Sequence, residues 1–379
     1  MTEKLYYKDA YISEFSAKIL SVTEVSDGYD IVLDKTAFFP EEGGQSADSG
    51  YIGDSKVKYV YEKDGVVYHK TDAVPEGKTV FCKIDFNERF DKMQQHTAEH
   101  ILSGVIHSLY GYENVGFHLG DDVVTFDIDH PLTREELDRV EDLANEAVFR
   151  NLKVEALFPT KEELKNETYR SKLDFTENVR LVKIGDVDSC ACCAPHVNYT
   201  GEIGLIKCLD FMHHRGGVRI TMCAGNRALK DYREKYRNIR EISAILSEPQ
   251  HTTAEALNKY VSDKEKQKLE LKTIKRVYAE SLADNVSSDS NLVIILDHVG
   301  MDELRDFANK AVKHVKGILV ALIGSDNDYK YVMASSSIDL RVKAKVINEK
   351  LSGRGGGHPQ MIQGSLFTDI KTIKNYFDC

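Results

Sequence analysis

Over the first ~90 residues apolar and polar positions alternate in YDIVLDKTAFF, KVKYVYEKDGVVYHK and KTVFCKIDF, with turn signals at Asp27-Gly28, Asp64-Gly65 and Pro75. A period of two gives each strand one core face and one wet face, so the pattern predicts an antiparallel sheet forming a small β-barrel. Near Asp91 the period changes. MQQHTAEHILSGVIHSLYG sets Ile101, Val105 and Leu109 on one helical stripe, with Gly111 placed to cap it. TREELDRVEDLANEAVFRN is a second amphipathic helix, opened by Thr133 with Glu136 three residues on, the spacing of a capping box. Strand character returns at VRLVKIG and GEIGLIKCLDFM. Residues 1–90 therefore read as a β-barrel domain and residues 91–227 as an α+β domain.

From Ala228 to Leu282 nearly every position is helix-forming, and many are charged. Leu257, Val261, Leu271, Ile274, Tyr278 and Leu282 recur like a narrow seam, and Pro249 interrupts the run. Residues 228–285 are thus expected to be a helical hairpin or short coiled coil. Residues 286–379 read as an α/β domain: LVIIL and ILVALIG are buried strands, YKYVMASS a third, and helices begin near Asp302 and Asp339. The fold class is multidomain α+β.

Composition narrows the class further. The 379 residues are 42% apolar and 29% charged, which excludes collagen, low-complexity disorder and a disulfide miniprotein. The longest apolar run, near Ile318–Ile323, falls far short of the ~20 residues a membrane helix needs. MTEKLYYKDAYISEF carries charges where a signal peptide has its apolar stretch, so a cytoplasmic protein without a membrane partner is expected. A net charge of −11 argues against indiscriminate coating of nucleic acid. Local basic faces remain at Lys264–Arg276 and Arg341–Arg354, which on charge alone read as solvated helix surfaces.

Four of the seven cysteines lie between Cys190 and Cys208, a clustering that favours metal binding over a disulfide framework in a chain with no export signal. His96 and His100, four apart on a predicted helix, point the same way. Cys190-Ala191-Cys192-Cys193-Ala194-Pro195-His196 follows, and Pro195 excludes a regular helix there, leaving a loop able to fold around an ion. His96, His100, Cys192 and His196 make a set of three nitrogens and one sulfur that suits zinc. Each motif alone is weaker: an HxxxH pair arises by chance on many helices. The glutamate stands at position 99, so the helix motif is not the HExxH of a zinc protease, and the HxE and PCxxC of nucleotide deaminases are absent. Cys190 and Cys193 form a CxxC that leaves redox and iron–sulfur readings open, and a purely structural zinc is the strongest alternative, since four protein ligands leave no open position.

HTAEHIL, CCAPHVNYTGEIG and FFPEEGGQSADSG together resemble the editing half of alanyl-tRNA synthetase, and SGRGGGHPQMIQG resembles the glycine-rich signature of its C-terminal DHHA1 domain. The motifs span nearly the whole chain in the same order. With no room ahead of residue 1 for a class II aminoacylation domain, the chain resembles the freestanding alanyl-tRNA editing proteins of the long type. That resemblance implies a zinc-containing editing domain, hydrolysis of Ser-tRNA(Ala) or Gly-tRNA(Ala), a tRNA partner, a DHHA1-like domain over residues 286–379, and a dimer through the helical linker or C-terminal domain. Cys193-Ala194-Pro195 replaces the family's usual Gly-Gly-Thr, and Glu42 stands where a glycine often precedes the GGQ.

Editing has a physical basis. A pocket shaped for alanine rejects serine, which adds only a hydroxyl, by about 10²-fold, so a second hydrolytic site must recognise that hydroxyl. Beyond the metal set, Thr36 and Gln45 are the candidates in the FFPEEGGQ region, Gly43 and Gly44 would admit a ligand close to the backbone, and Glu99 is a candidate general base. Arg219, in GGVRIT, is a candidate for a phosphate or the terminal adenosine, with an ordinary salt bridge as the alternative. Gly353–His358 looks like a phosphate cradle, though it follows a helix and lacks the GK[ST] of a P-loop. Arg354, Gly355, Gly356 and Gly357 are its candidate RNA contacts, alongside Arg341, Lys343 and Lys345. His69, His107, His118, His213, His214, Cys82, Cys208, Cys223 and Cys379 read as ordinary core or surface residues, and Cys190 as a redox-sensitive neighbour or alternative ligand. Two other classes compete: a non-catalytic zinc-stabilised RNA-binding protein, and a DHH-type phosphoesterase, disfavoured because no Asp-His-His motif precedes the last domain.

Overall fold

Hydrogen bonds run unbroken around six strands in the N-terminal region of the computed structural model, which describes residues 1–171 and 179–379. In ring order the strands are Glu14–Val25, Gly28–Leu33, Val66–Thr71, Ser55–Lys63, Gly50–Ile52 and Thr79–Ile84, the last pairing back onto the first. All neighbours are antiparallel, and the inward positions, among them Ile31, Leu33, Ile52, Val57, Val60, Val67 and Ile84, fill the interior. The alternation in the sequence has this cause: each strand gives every second side chain to the ring's core.

Helix α1 spans Phe86–Tyr110, opened by Asp85, whose side chain accepts from the backbone of Glu88, and closed by Gly111 in the left-handed region at φ 71. It starts earlier than the change of period near Asp91 suggests. It is also buried on all sides from residue 92 to residue 106, with Arg89, Lys92, Gln94, Gln95, Thr97 and Glu99 inside, so the stripe Ile101–Val105–Leu109 is one part of a central helix. Helix α2, Arg134–Phe149, begins in the expected capping box of Thr133 and Glu136, and a short α3, Lys161–Leu164, begins in another. A four-stranded antiparallel sheet, in order Ile206–His214, Gly217–Ala224, Val124–Ile128 and Asn114–Leu119, shares one core with α1 and α2. A three-stranded antiparallel sheet, Val154–Leu157, Leu181–Ile184 and Asp188–Ala191, carries the approach to the cysteine loop.

The chain divides into two compact units, Met1–Ile239 and Arg240–Cys379. Helix α4, Gly225–Leu246, crosses that division, and a turn through Pro249 leads into α5, Thr253–Asp284. Leu257, Val261, Leu271, Ile274 and Tyr278 are each between 43% and 64% exposed, so the seam read from the sequence faces solvent in this chain, while Ala279 and Ala283 at its end are buried. In the second unit a five-stranded sheet runs in order Leu292–Ile295, Leu319–Ser325, Asp328–Ala334, Met361–Leu366 and Gly353–His358; its first pair is parallel and the rest antiparallel. Helices α6 (Met301–Ala311), α7 (Leu340–Lys350, capped by Asp339) and α8 (Ile370–Tyr376) complete the unit.

Gly353–His358 departs from expectation: it is an extended edge strand, not a loop curled around an anion. Cβ atoms on Gly355 and Gly357 would lie 2.3 Å from the carbonyl oxygens of Gln363 and Met361, so these two glycines serve close strand packing. Arg354 lies with its guanidinium 5.6 Å from the ring centre of Phe367.

Candidate metal centre and cavity

Three histidines and a cysteine converge in the first unit. His96 and His100 lie one turn apart on α1, and Cys192 and His196 come from the loop after the strand Asp188–Ala191. One donor atom from each lies within 4.8 Å of all the others, and every member but Cys192 is buried. The Cys192 sulfur is 3.4 Å from Nε2 of His196 and 3.7 Å from Nε2 of His96. The sequence grouped these four, and the fold brings them together.

Each imidazole is held from behind by a different chemical group. Nδ1 of His96 donates to Oε1 of Gln45 at 2.9 Å. Nδ1 of His100 donates to the Asp188 carboxylate at 3.0 Å. The Thr97 hydroxyl donates to the Met93 carbonyl at 2.7 Å, so it accepts from Nδ1 of His196 at 3.0 Å. With all three Nδ1 atoms occupied by partners outside the set, each ring has its Nε2 aimed into the shared site, the arrangement a metal ligand needs. Soft sulfur with three nitrogens matches zinc chemistry, so the donor set fits that ion.

The electrostatics follow from the same contacts. Burial works against a charged Cys192, yet the His96 and His196 rings facing it hold its thiol well below the ordinary range. Burial also opposes charge on His100, but Cys190, Asp188 and Cys192 raise it well above an ordinary histidine. His196, where burial dominates, is pushed down to about 3. Asp188 is buried too, and its bonds from His100 and from Arg170 (2.8 and 3.0 Å) outweigh that burial and lower it.

Gln45 reaches His96 through a tight two-residue hairpin. Glu42 and Gln45 exchange both backbone hydrogen bonds across Gly43 and Gly44, whose φ values of 62 and 82 suit glycine. A Cβ on Gly44 would lie 2.7 Å from the Phe117 ring, and that ring packs 4.6 Å from His96. Gly44 thus seats the hairpin on Phe117, not on a ligand. Gly43 does line the cavity beside the metal set.

That cavity measures about 870 Å³ and takes in His96, His100, Cys192, Glu99 and Asn114. Glu99 accepts from Ser103 and Asn114, both at Oε1, which leaves Oε2 to meet a water. Thr36 is elsewhere. Its hydroxyl, inside the ring of strands, accepts from the Phe38 backbone at 3.1 Å and meets Nε2 of the buried His69 at 2.8 Å. His69 is a satisfied core histidine: its Nδ1 donates to the Ile31 carbonyl at 3.0 Å, and burial lowers it to about 4. Arg219 is also absent from the cavity wall; it pairs with Asp127 at 2.6 and 2.8 Å, the ordinary salt bridge of the two readings. Arg354 and Gly355–Gly357 lie in the other unit.

Sequence reasoning missed Thr97, Asp188, Arg170 and Arg180. Asp188 left a signal, since it stands two before Cys190 in a strand and shares its face. Thr97 adjoins a ligand in HTAEH. Nothing local marks the arginines.

Comparison with known proteins places this site first in a class and then beside particular relatives. Residues 179–226 match the family described as threonyl and alanyl tRNA synthetase second additional domain, and residues 2–88 match class II (A) tRNA synthetases. The alanyl-tRNA editing protein AlaX-L of Pyrococcus horikoshii is 28% identical over 96% of this chain and 94% of its own length. Alanine–tRNA ligases of Methanobrevibacter smithii and Thermococcus kodakarensis are each 31% identical over 96% and 98% of this chain, which spans only 44% and 42% of them. Along nearly its whole length the chain therefore resembles a freestanding long-type alanyl-tRNA editing protein and the editing part of alanyl-tRNA synthetases. A solved C-Ala domain from the Aquifex aeolicus synthetase covers 24% of the chain at 17% identity with a TM-score of 0.21, too distant to bear on the fold.

Proposed function

We propose that the chain is a zinc-dependent aminoacyl-tRNA deacylase that cleaves the ester of tRNA(Ala) mischarged with serine, and with glycine as a second substrate. The reading rests on one observation: His96, His100 and Cys192 of a set of three aimed imidazoles and a thiol share the wall of an 870 Å³ cavity with the carboxylate of Glu99. The kinship supports the substrate class. In the reaction water adds to the ester carbonyl carbon, the bond from that carbon to the ribose oxygen breaks, and the amino acid and a free ribose hydroxyl leave. Glu99 takes the water's proton at Oε2 and returns it to the leaving ribose oxygen. His96, His100, Cys192 and His196 would hold zinc, which supplies a Lewis acid for the substrate's amino or hydroxyl group. Gln45 acts behind His96 as a positioning residue, and Thr36 stays out of the mechanism.

Four protein donors leave no open metal position, which favours one rival: a zinc-stabilised tRNA-binding module without catalysis. Substitution separates them. His100→Ala, checked for folding, is expected to lower ester cleavage at least about 10²-fold while tRNA binding persists; an unchanged cleavage rate would remove the metal set from the chemistry. A second copy of the chain, joined through the exposed seam of α5, is the further proposed partner. Leu271→Asp is expected to shift the sedimentation of a dimer to that of a monomer, and a monomeric unsubstituted chain would dismiss it.

A further inference from the structure

We propose that Arg180, set against the ring of Tyr7, binds a phosphodiester oxygen of the nucleic-acid strand that carries the ester; the assignment rests on the deacylase reading above. Arg180 is 8% exposed and lines the same cavity as Cys192. Its Nη1 donates to the carbonyl oxygens of Cys192 and Ala194 at 2.9 and 2.8 Å, while its Nε is buried with no hydrogen-bond partner. No carboxylate pairs with it among the described residues. Two other arginines of this unit contrast with it: the buried Arg89 is clasped by Asp48, and the partly buried Arg170 by Asp188. Among the described residues no carboxylate neutralises this guanidinium, and a buried cation short of counter-charge is costly, so an anion from outside the chain is the natural occupant.

The surroundings say which anion. The guanidinium lies 5.4 Å from the Tyr7 ring centre, and the Lys4 ammonium lies 5.4 Å from the same ring. Phe158 meets Tyr7 edge-on at 5.5 Å, and all of these line the cavity. A planar donor fork beside aromatic rings suits a phosphate with a base stacked next to it. The aminoacyl group brings an amine and an ester but no negative charge. The nearest anion in such a substrate is the phosphodiester of the terminal nucleotide, one sugar away from the ester. The loop that supplies Cys192 and His196 is the loop Arg180 grips, so one residue links the metal end of the substrate to its backbone.

The test compares equilibrium binding of adenosine 5′-monophosphate and adenosine to the full zinc-loaded chain. The monophosphate is expected to bind about tenfold tighter or better, the scale of a charge-assisted hydrogen bond. Arg180→Gln is expected to bring the ratio to about one, and Arg180→Lys, which keeps the cation, to retain part of the preference. Zinc content, measured on both variants, shows whether the cysteine loop survives, and a merely structural role for Arg180 would leave the ratio of the two ligands unmoved. Equal binding of the two ligands, no binding of either, or a preference that survives in Arg180→Gln overturns the assignment. None of these touches the deacylase reading, which stands or falls on ester cleavage.

Discussion

Three histidines in one site are held by an amide, a carboxylate and a hydroxyl, and this difference sets what each substitution should do. Gln45 fixes the tautomer of His96 through one bond of 2.9 Å, with its own Nε2 unpartnered, so Gln45→Ala removes the orientation and little else. Asp188 holds both His100 and Arg170, so Asp188→Asn also weakens the counter-charge of a partly buried arginine. Zinc affinity, measured against a chelator, is expected to fall 10–100-fold in either variant, roughly the usual weight of a metal ligand's hydrogen-bond partner. Thermal stability is expected to fall further in Asp188→Asn, by up to about 3 kcal/mol, because a largely desolvated cation loses its partner's charge. Unchanged zinc affinity in both variants would deny them a positioning role. The ligands themselves were legible in the sequence, since spacing on a helix and around Pro195 is local information. Their partners were not: Gln45 and His96 are 51 residues apart, and only tertiary packing makes them neighbours. Thr36 shows the converse, since its place beside the GGQ hairpin in sequence hid its place inside the ring.

Helix α1 carries half of the metal set and is the element on which the site depends. Gly104 lets the turn before Asp188 come close, since a Cβ there would lie 2.6 Å from the Val187 carbonyl oxygen and 2.8 Å from the Asp188 Cβ. Helix propensity favours alanine over glycine by up to about 1 kcal/mol. The clash is with backbone, which cannot yield like a side chain, and overpacking of this kind costs about 1–3 kcal/mol. Gly104→Ala is therefore expected to lower the melting temperature and to weaken zinc binding through His100, readable by calorimetry and zinc titration. A variant as stable and as zinc-avid as the parent would contradict this account of the contact. Helix ends were readable from Gly111, Thr133 and Asp339, because caps are local chemistry. The burial of α1 on every side was not, for Arg89, Lys92 and Gln95 look like a wet face until Asp48, Ala47 and Ala224 receive their hydrogen bonds. The glycine run misled for a related reason: a stretch of glycines is permissive, and its neighbour Met361–Leu366 draws it into a sheet edge.

At the scale of the whole chain, the described residues form two units, and the metal set, its supports and the cavity all belong to Met1–Ile239. No helix among the described residues is long and apolar enough to cross a membrane. With a net charge of −11, the tRNA binding proposed above would rest on local cations such as Arg180 and not on the overall charge. The order of strand-rich, mixed, helical and α/β regions could be read from changes of period, whereas the division at Ile239 within α4 could not, because a helix gives no sign of which neighbours its two ends serve. The claim that binds these levels together is selective ester hydrolysis. The most direct measurement follows ester loss from Ser-tRNA(Ala) and Ala-tRNA(Ala) incubated with the zinc-loaded chain. Rapid loss of the seryl ester with the alanyl ester spared is the expected result. Survival of both esters, with zinc stoichiometric and tRNA bound, would contradict the account and leave a binding module in its place.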